Sequence, residues 1–186
     1  MIIRVVGIAG SLRAGSYNAS LLREAVSRAP EGLEIAVVDI SGFPLYDADL
    51  EARAYPGTVL AAKRAVDEAD GVLLATPEYN YGIPGVMKNA VDWLSRPYGD
   101  GTLTGKPAAF MGASPGYAGT MRAQLALRQM WHYFDAPVFS GKELHVSSAR
   151  DAFDGEGRLV SEFFERQLDM FLITLRDWLV QVSDRD

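Results

Sequence analysis

The segment Gly10-Ser11-Leu12-Arg13-Ala14-Gly15-Ser16-Tyr17-Asn18 gathers what an oxyanion needs. Ser11, Ser16 and Asn18 are short hydrogen-bond donors, and Arg13 adds a planar guanidinium fork that matches phosphate geometry. Gly10 and Gly15 let the backbone approach a ligand closely. A helical pattern starts at Asn18, so the segment ends on a helix N-terminus, where unpaired N–H groups and a partial positive charge favour an anion. The glycine spacing from Gly10 to Gly15 is that of a P-loop, but Ser16-Tyr17 stands where Lys and Ser/Thr are required. Nothing there grips a γ-phosphate or Mg²⁺. The dinucleotide fingerprint G-x-G-x-x-G is absent as well. A plainer alternative is a turn in which Asn18 caps the helix and Arg13 is solvated.

A second segment, Pro77-Glu78-Tyr79-Asn80-Tyr81-Gly82-Ile83-Pro84-Gly85, offers different chemistry. Its prolines restrict the backbone and so reduce the entropy lost on binding. Its tyrosines offer planar faces, and Asn80 and the loop N–H groups offer an edge of donors and acceptors. A third, Ser114-Pro115-Gly116-Tyr117-Ala118-Gly119-Thr120, has glycines that permit close approach to a ring. Alone, the second segment also reads as a rigid loop covering a sheet edge. Together, a phosphate site beside a flat-ring site suggests flavin mononucleotide (FMN).

Composition narrows the chemistry. The 186 residues contain no cysteine, which removes disulfides, thiolate catalysis and Cys-held metals. His132 and His145 are the two histidines, and neither sits in a metal-ligand pattern. No metal site is expected, and redox chemistry must come from a cofactor. The net charge of −6 argues against nucleic acid or an anionic membrane surface as partner. No stretch approaches the roughly 20 apolar residues of a membrane span. Met1-Ile2-Ile3-Arg4-Val5-Val6 does not read as a signal peptide. The expectation is a cytoplasmic enzyme folded as one domain over residues 1–186.

The elements that must position these segments alternate. Strands are expected at Ile2–Ala9, Leu33–Ile40, Gly71–Thr76 and Pro107–Ala113, with an interrupted fifth at Pro137–Phe139 and Glu143–Val146. Helices are expected at Asn18–Ala29 (apolar face Leu22, Ala25, Val26, Ala29), Thr58–Ala69 with Thr58 as cap, Gly85–Leu94 and Thr120–Phe134. A last helix carries Phe164, Leu168, Phe171, Leu175, Trp178 and Val182 at spacings of four and three. Ser41–Gly57 reads as irregular, pinned by Phe43, Leu45 and Leu50. Ser147–Gly157 reads as a polar excursion. The alternation predicts an α/β fold: a five-stranded parallel sheet of order 2-1-3-4-5 with helices on both faces, a flavodoxin-like sandwich. In that order the three segments meet at the carboxyl edge.

The combination resembles the NAD(P)H-dependent FMN reductase family of quinone, azo-dye and chromate reductases. The resemblance spans roughly the whole chain. It rests on Gly10-Ser11-Leu12-Arg13 with Ser16 and Asn18, on Thr76-Pro77-Glu78-Tyr79-Asn80-Tyr81 with Pro84-Gly85, and on Lys88-Asn89-Ala90-Val91-Asp92-Trp93-Leu94-Ser95-Arg96. Gly105-Lys106-Pro107 and Leu127-Arg128 also fit. It implies that Ser11, Arg13, Ser16, Tyr17 and Asn18 hold the FMN phosphate. Pro77, Glu78, Tyr79, Asn80 and Tyr81 would line the isoalloxazine, and Ser114, Gly116 and Tyr117 would close the other side. It also implies a homodimer or homotetramer, with Gly85–Leu94 and Arg96-Pro97-Tyr98 as the candidate contact.

The expected activity is ping-pong transfer of hydride from NADPH or NADH, through FMN, to a small-molecule acceptor: a quinone, azo dye, metal oxyanion or free flavin. No side chain is expected to act as nucleophile, since the flavin carries the chemistry. A flavodoxin-like electron carrier would bind FMN and ignore nicotinamide. An enzyme supplying reduced flavin to a monooxygenase would release its flavin. A regulatory domain would bind none. Glu78 reads either as a flavin-tuning group or as a structural hydrogen-bond acceptor, and Lys88 and Asp92 as a surface pair. Trp93, Trp131 and Trp178 read as core or subunit contact, and both histidines as structural or exposed.

Overall fold

The computed structural model describes residues 2–183. Its strands are β1 (Ile3–Ala9), β2 (Leu33–Val38), β3 (Gly71–Ala75), β4 (Ala108–Ala113) and β5 (Leu144–Val146). Its helices are α1 (Tyr17–Ser27), α2 (Ala48–Arg53), α3 (Gly57–Asp67), α4 (Gly85–Leu94), α5 (Met121–Tyr133), α6 (Ala149–Ala152) and α7 (Glu162–Ser183). All strand pairs are parallel and the order is β2-β1-β3-β4-β5, as the alternation predicts.

Strands β3 and β4 are apolar throughout because both faces are covered. Side chains alternate across β3 and β4. Leu73, Ala75, Ala109 and Met111 pack with α1 and α7 on one face, while Val72, Leu74, Ala108 and Phe110 pack with α3, α4 and α5 on the other. The second face is stiffened by Trp131, which is fully buried between Phe110 and Phe134 at ring centroid distances of 5.3 and 5.4 Å. Trp93 is also fully buried, and its indole N–H donates to the Pro44 carbonyl at 2.8 Å. The tryptophans therefore act as core, with Trp178 packed at its margin.

Several local expectations need correction. The segment expected to be irregular contains α2, whose side chains are not buried, so no apolar period marked it. Leu45 is 82% exposed and pins nothing. The segment is held instead by Phe43, which packs against the core, and by Asn89 and Trp93, which both donate to the Pro44 carbonyl. Thr58 is not a helix cap: α3 begins one residue earlier, Pro56 occupies the cap position, and the Thr58 hydroxyl donates to Gly42. Val26 lies 39% exposed, and Leu21 takes its place on the buried face of α1. The first half of the interrupted strand is reduced to a single bridge between Ala108 and Val138, so β5 begins at Leu144. The polar excursion contains α6.

The edge of the sheet that carries the loops is built stepwise. Gly10 N–H donates to Ala75, Thr76 N–H to Met111, and Ser114 N–H to Val146, all at 2.8 to 2.9 Å. Each loop thus leaves the sheet from a residue still paired to its neighbour. The turns after β1, β3 and β4 stand side by side where the strand order changes direction, the place where open α/β sheets bind ligands.

Candidate functional site

A cleft of about 300 Å³ opens at that edge, lined by residues of all three loops: Ser11, Arg13, Ser16, Tyr17 and Asn18 from the first, Pro77 to Tyr79 from the second, and Ser114 and Pro115 from the third. A shallower cleft of about 420 Å³ continues from it, lined among others by Asn80, Tyr81, Gly116, Tyr117 and Arg122. Glu78 and Ser114 line both, so the two form one trough. All thirteen candidate residues named from the sequence line it.

At the first loop the helix cap is Ser16, whose Oγ accepts from Ala19 N–H at 3.2 Å. Its hydroxyl hydrogen remains available to a ligand. The next helical N–H groups, of Tyr17 and Asn18, have no acceptor within a helix by construction. Arg13 lies over the Tyr17 ring at 5.1 Å and makes no ion pair among the described residues.

Asn18 departs from the capping reading, since Ser16 is the cap of α1. It is 2% exposed and clasps the end of β4: its amide donates to the Ala113 carbonyl at 2.9 Å, and its Oδ1 accepts from Ala113 N–H at 2.8 Å. That clasp fixes the helix N-terminus against the strand that launches the third loop.

The second loop is a tight hairpin. Tyr79 and Gly82 exchange backbone hydrogen bonds at 3.0 Å each way, and Asn80 and Tyr81 both have positive φ, of 51° and 66°. Such a type I′ turn favours Asn-Gly. Asn80 suits it, whereas Tyr81 is strained by about 1–2 kcal/mol. The Tyr81 ring is 76% exposed, with the Arg122 guanidinium 3.9 Å from its centroid. Tyr81→Gly is therefore expected to raise stability by about 0.5–1 kcal/mol, seen as a melting temperature higher by about 1–4 °C. Tyr81→Ala, which keeps the Cβ and loses the stack, should lower it.

The Glu78 carboxylate makes the hydrogen bonds of the structural reading. It accepts from Arg122 N–H at 2.9 Å and Ala123 N–H at 3.3 Å, and it pairs with the Arg122 guanidinium. It caps the N-terminus of α5, where a carboxylate is favoured. What Glu78 offers the trough is mainly its backbone. The third loop is the most open: Tyr117 is 96% exposed, while Ser114 Oγ accepts from Gly116 N–H at 3.1 Å.

Two residues escaped the sequence reading. Arg122 lies in the first turn of α5, where no spacing rule ties it to the loops. Arg150, on α6, lines the first cleft beside Ser11 and Arg13. The histidines stay outside the trough. His132 is exposed, and His145 bridges Glu143 at 2.8 Å and Gln124 at 3.0 Å. The Glu143 carboxyl is held below its ordinary range, first by the His145 hydrogen bond and then by the charge of Arg128. Lys88 and Asp92 form the expected helix-surface pair at 2.5 Å. No group of metal-ligating side chains occurs among the described residues, and none of their helices is long and apolar enough to cross a membrane.

Hydroxyls, helix N–H groups and a guanidinium at one end, with tyrosines and a hairpin backbone at the other, fit a ligand that joins a phosphate to a flat ring. Comparison with known proteins points the same way. The chain is 45% identical to an NAD(P)H-dependent FMN reductase of Pseudomonas aeruginosa, over 95% of each chain. It is 37% identical to a 2-hydroxy-1,4-benzoquinone reductase of Burkholderia sp., over 96% of this chain and 97% of the other. The solved structure of FerB, a flavoenzyme NAD(P)H:(acceptor) oxidoreductase from Paracoccus denitrificans, superimposes with a TM-score of 0.88 at 35% identity, covering 97% of this chain and 98% of that one. Residues 3–151 match the family described as NADPH-dependent FMN reductase, and the chain belongs to that family.

Proposed function

We propose that the trough holds one FMN and that the protein reduces quinones at the expense of NADPH or NADH. The observation that carries this reading is the continuity of the two clefts through Glu78 and Ser114, which sets the phosphate donors and the tyrosine-lined hairpin in one site. Ser11, Arg13, Ser16 and Tyr17 hold the phosphate, with Asn18 contributing its backbone N–H. Pro77, Glu78, Tyr79, Asn80 and Tyr81 lie along the ring, and Ser114, Gly116 and Tyr117 close its other side. A bound flavin would supply the hydride-transfer chemistry between the nicotinamide and the acceptor.

The protein's part is orientation. The Asn18 clasp and the Glu78 cap lock the anion end and the start of α5, so the binding geometry is present before the ligand arrives. The exposed rings of Tyr81 and Tyr117 leave one side open to flat molecules. Quinones fit that opening, and azo dyes, metal oxyanions and free flavin are further acceptors. The protein acts in the cytoplasm as a homodimer or homotetramer, associating through α4 and the exposed Tyr98 beyond it.

The test is spectroscopic. Purified protein takes up FMN and turns yellow. NADPH or NADH bleaches it without oxygen, and benzoquinone restores the colour. A protein that neither takes up FMN nor oxidises reduced nicotinamide overturns the reading, and one that binds FMN but ignores nicotinamide is an electron carrier.

A further inference from the structure

We infer that Arg150 is a second cationic contact for the cofactor phosphate, in addition to Arg13. The inference rests on the FMN reading above. Three observations carry it. Arg150 lines the same cleft as Ser11, Arg13 and Ser16, although it lies 137 residues beyond Arg13 in the chain. Its position is fixed by the site's own framework: Ala149 N–H donates to the Ser114 carbonyl at 3.1 Å, and the Phe153 ring packs on Tyr17 at 5.6 Å. And its charge is unspent. Arg150 makes no hydrogen bond or ion pair among the described residues, unlike Arg28, Arg122, Arg128 and Arg158, which all pair with carboxylates.

Charge balance makes the phosphate its partner. Among the described residues the one carboxylate lining the cleft is Glu78, and it is engaged by Arg122 and the N–H groups of α5. Arg13 and Arg150 are therefore two guanidinium charges in one cleft without a carboxylate between them. A phosphate monoester carries a charge of about −1.5 to −2 near pH 7, which matches the pair. A neutral ring would leave both unpaired.

The experiment compares FMN with riboflavin, which has the same ring and no phosphate. Calorimetry on the cofactor-free protein is run for the natural sequence, Arg150→Gln and Arg150→Lys. Arg150→Gln should weaken FMN binding about 10- to 100-fold, the loss of one charge-assisted contact. Riboflavin binding should not change, and Arg150→Lys should recover part of the FMN affinity. The FMN affinity of Arg150→Gln should also fall less steeply with added salt, which keeps the test decisive if riboflavin binds weakly. The melting temperature of the cofactor-free protein reports whether the variant folds. Equal loss for both flavins, or undiminished FMN affinity with an unchanged salt slope, overturns the role of Arg150 while leaving the FMN reading intact. If the natural sequence binds no FMN, both fall.

Discussion

Asn18→Leu is expected to lower stability by about 3 kcal/mol and the melting temperature by roughly 6–12 °C. The side chain is nearly isosteric with leucine, so the loss is not one of volume. It comes from Ala113, whose N–H and carbonyl both lose their partner in a site that water does not reach. Each unmet buried backbone group costs about 1–3 kcal/mol. The function should suffer with the fold, because the same clasp sets α1 against β4 and so fixes the helix N-terminus relative to the third loop. Asn18→Asp should lower both stability and FMN affinity. The carboxylate still accepts from Ala113 N–H, but it buries a charge against the Ala113 carbonyl and sets it beside the anion site, losses read by thermal melting and by calorimetry. An Asn18→Leu protein that melts where the natural one does would show that the clasp contributes nothing.

The parts of this molecule that were legible in its sequence are those with strong local grammar. Val72-Leu73-Leu74-Ala75 is apolar on every residue, which only a strand covered on both faces requires. The strand–helix alternation then leaves one common topology, and that topology brings three loops together. What was illegible depends on long-range partners. Asn18 reads as a cap by position, yet its partner lies 95 residues away. Ser16, two residues earlier, takes the cap because its short hydroxyl reaches Ala19. Glu78 and Arg122 are 44 residues apart, so no spacing rule joins them. Arg150 sits on a four-residue helix in a segment without period, and its approach to the cleft follows from the docking of Ala149 on Ser114. Even the tightest local feature was half hidden. Asn80-Tyr81 lacks the glycine that announces a type I′ turn, since the position carries an exposed aromatic at the cost of strain.

Gly112→Ala is expected to be more damaging than any substitution in the exposed loops. Alanine usually gains over glycine inside a strand. Here the sign inverts, because a Cβ at this position would stand 2.1 Å from Thr120 Oγ1 and 2.3 Å from the Thr76 carbonyl oxygen. The second is backbone of the adjoining chain segment and cannot rotate away. Overpacking of this kind should cost at least about 3 kcal/mol. The displaced atoms belong to Thr76, which leads into Pro77-Glu78-Tyr79, and to Thr120, which precedes α5, so FMN binding should be lost together with stability. Removing the hydroxyl in Gly112→Ala/Thr120→Ala should restore little, since the Thr76 carbonyl remains in place. Gly85→Ala is the comparison: its Cβ would meet no atom within 4 Å, and it lies in the first turn of α4. That variant should melt at or slightly above the natural protein and keep its FMN affinity. If Gly112→Ala folds with full FMN affinity, the close approach of β4 to the Thr76 carbonyl is not what sets the spacing of the two loops.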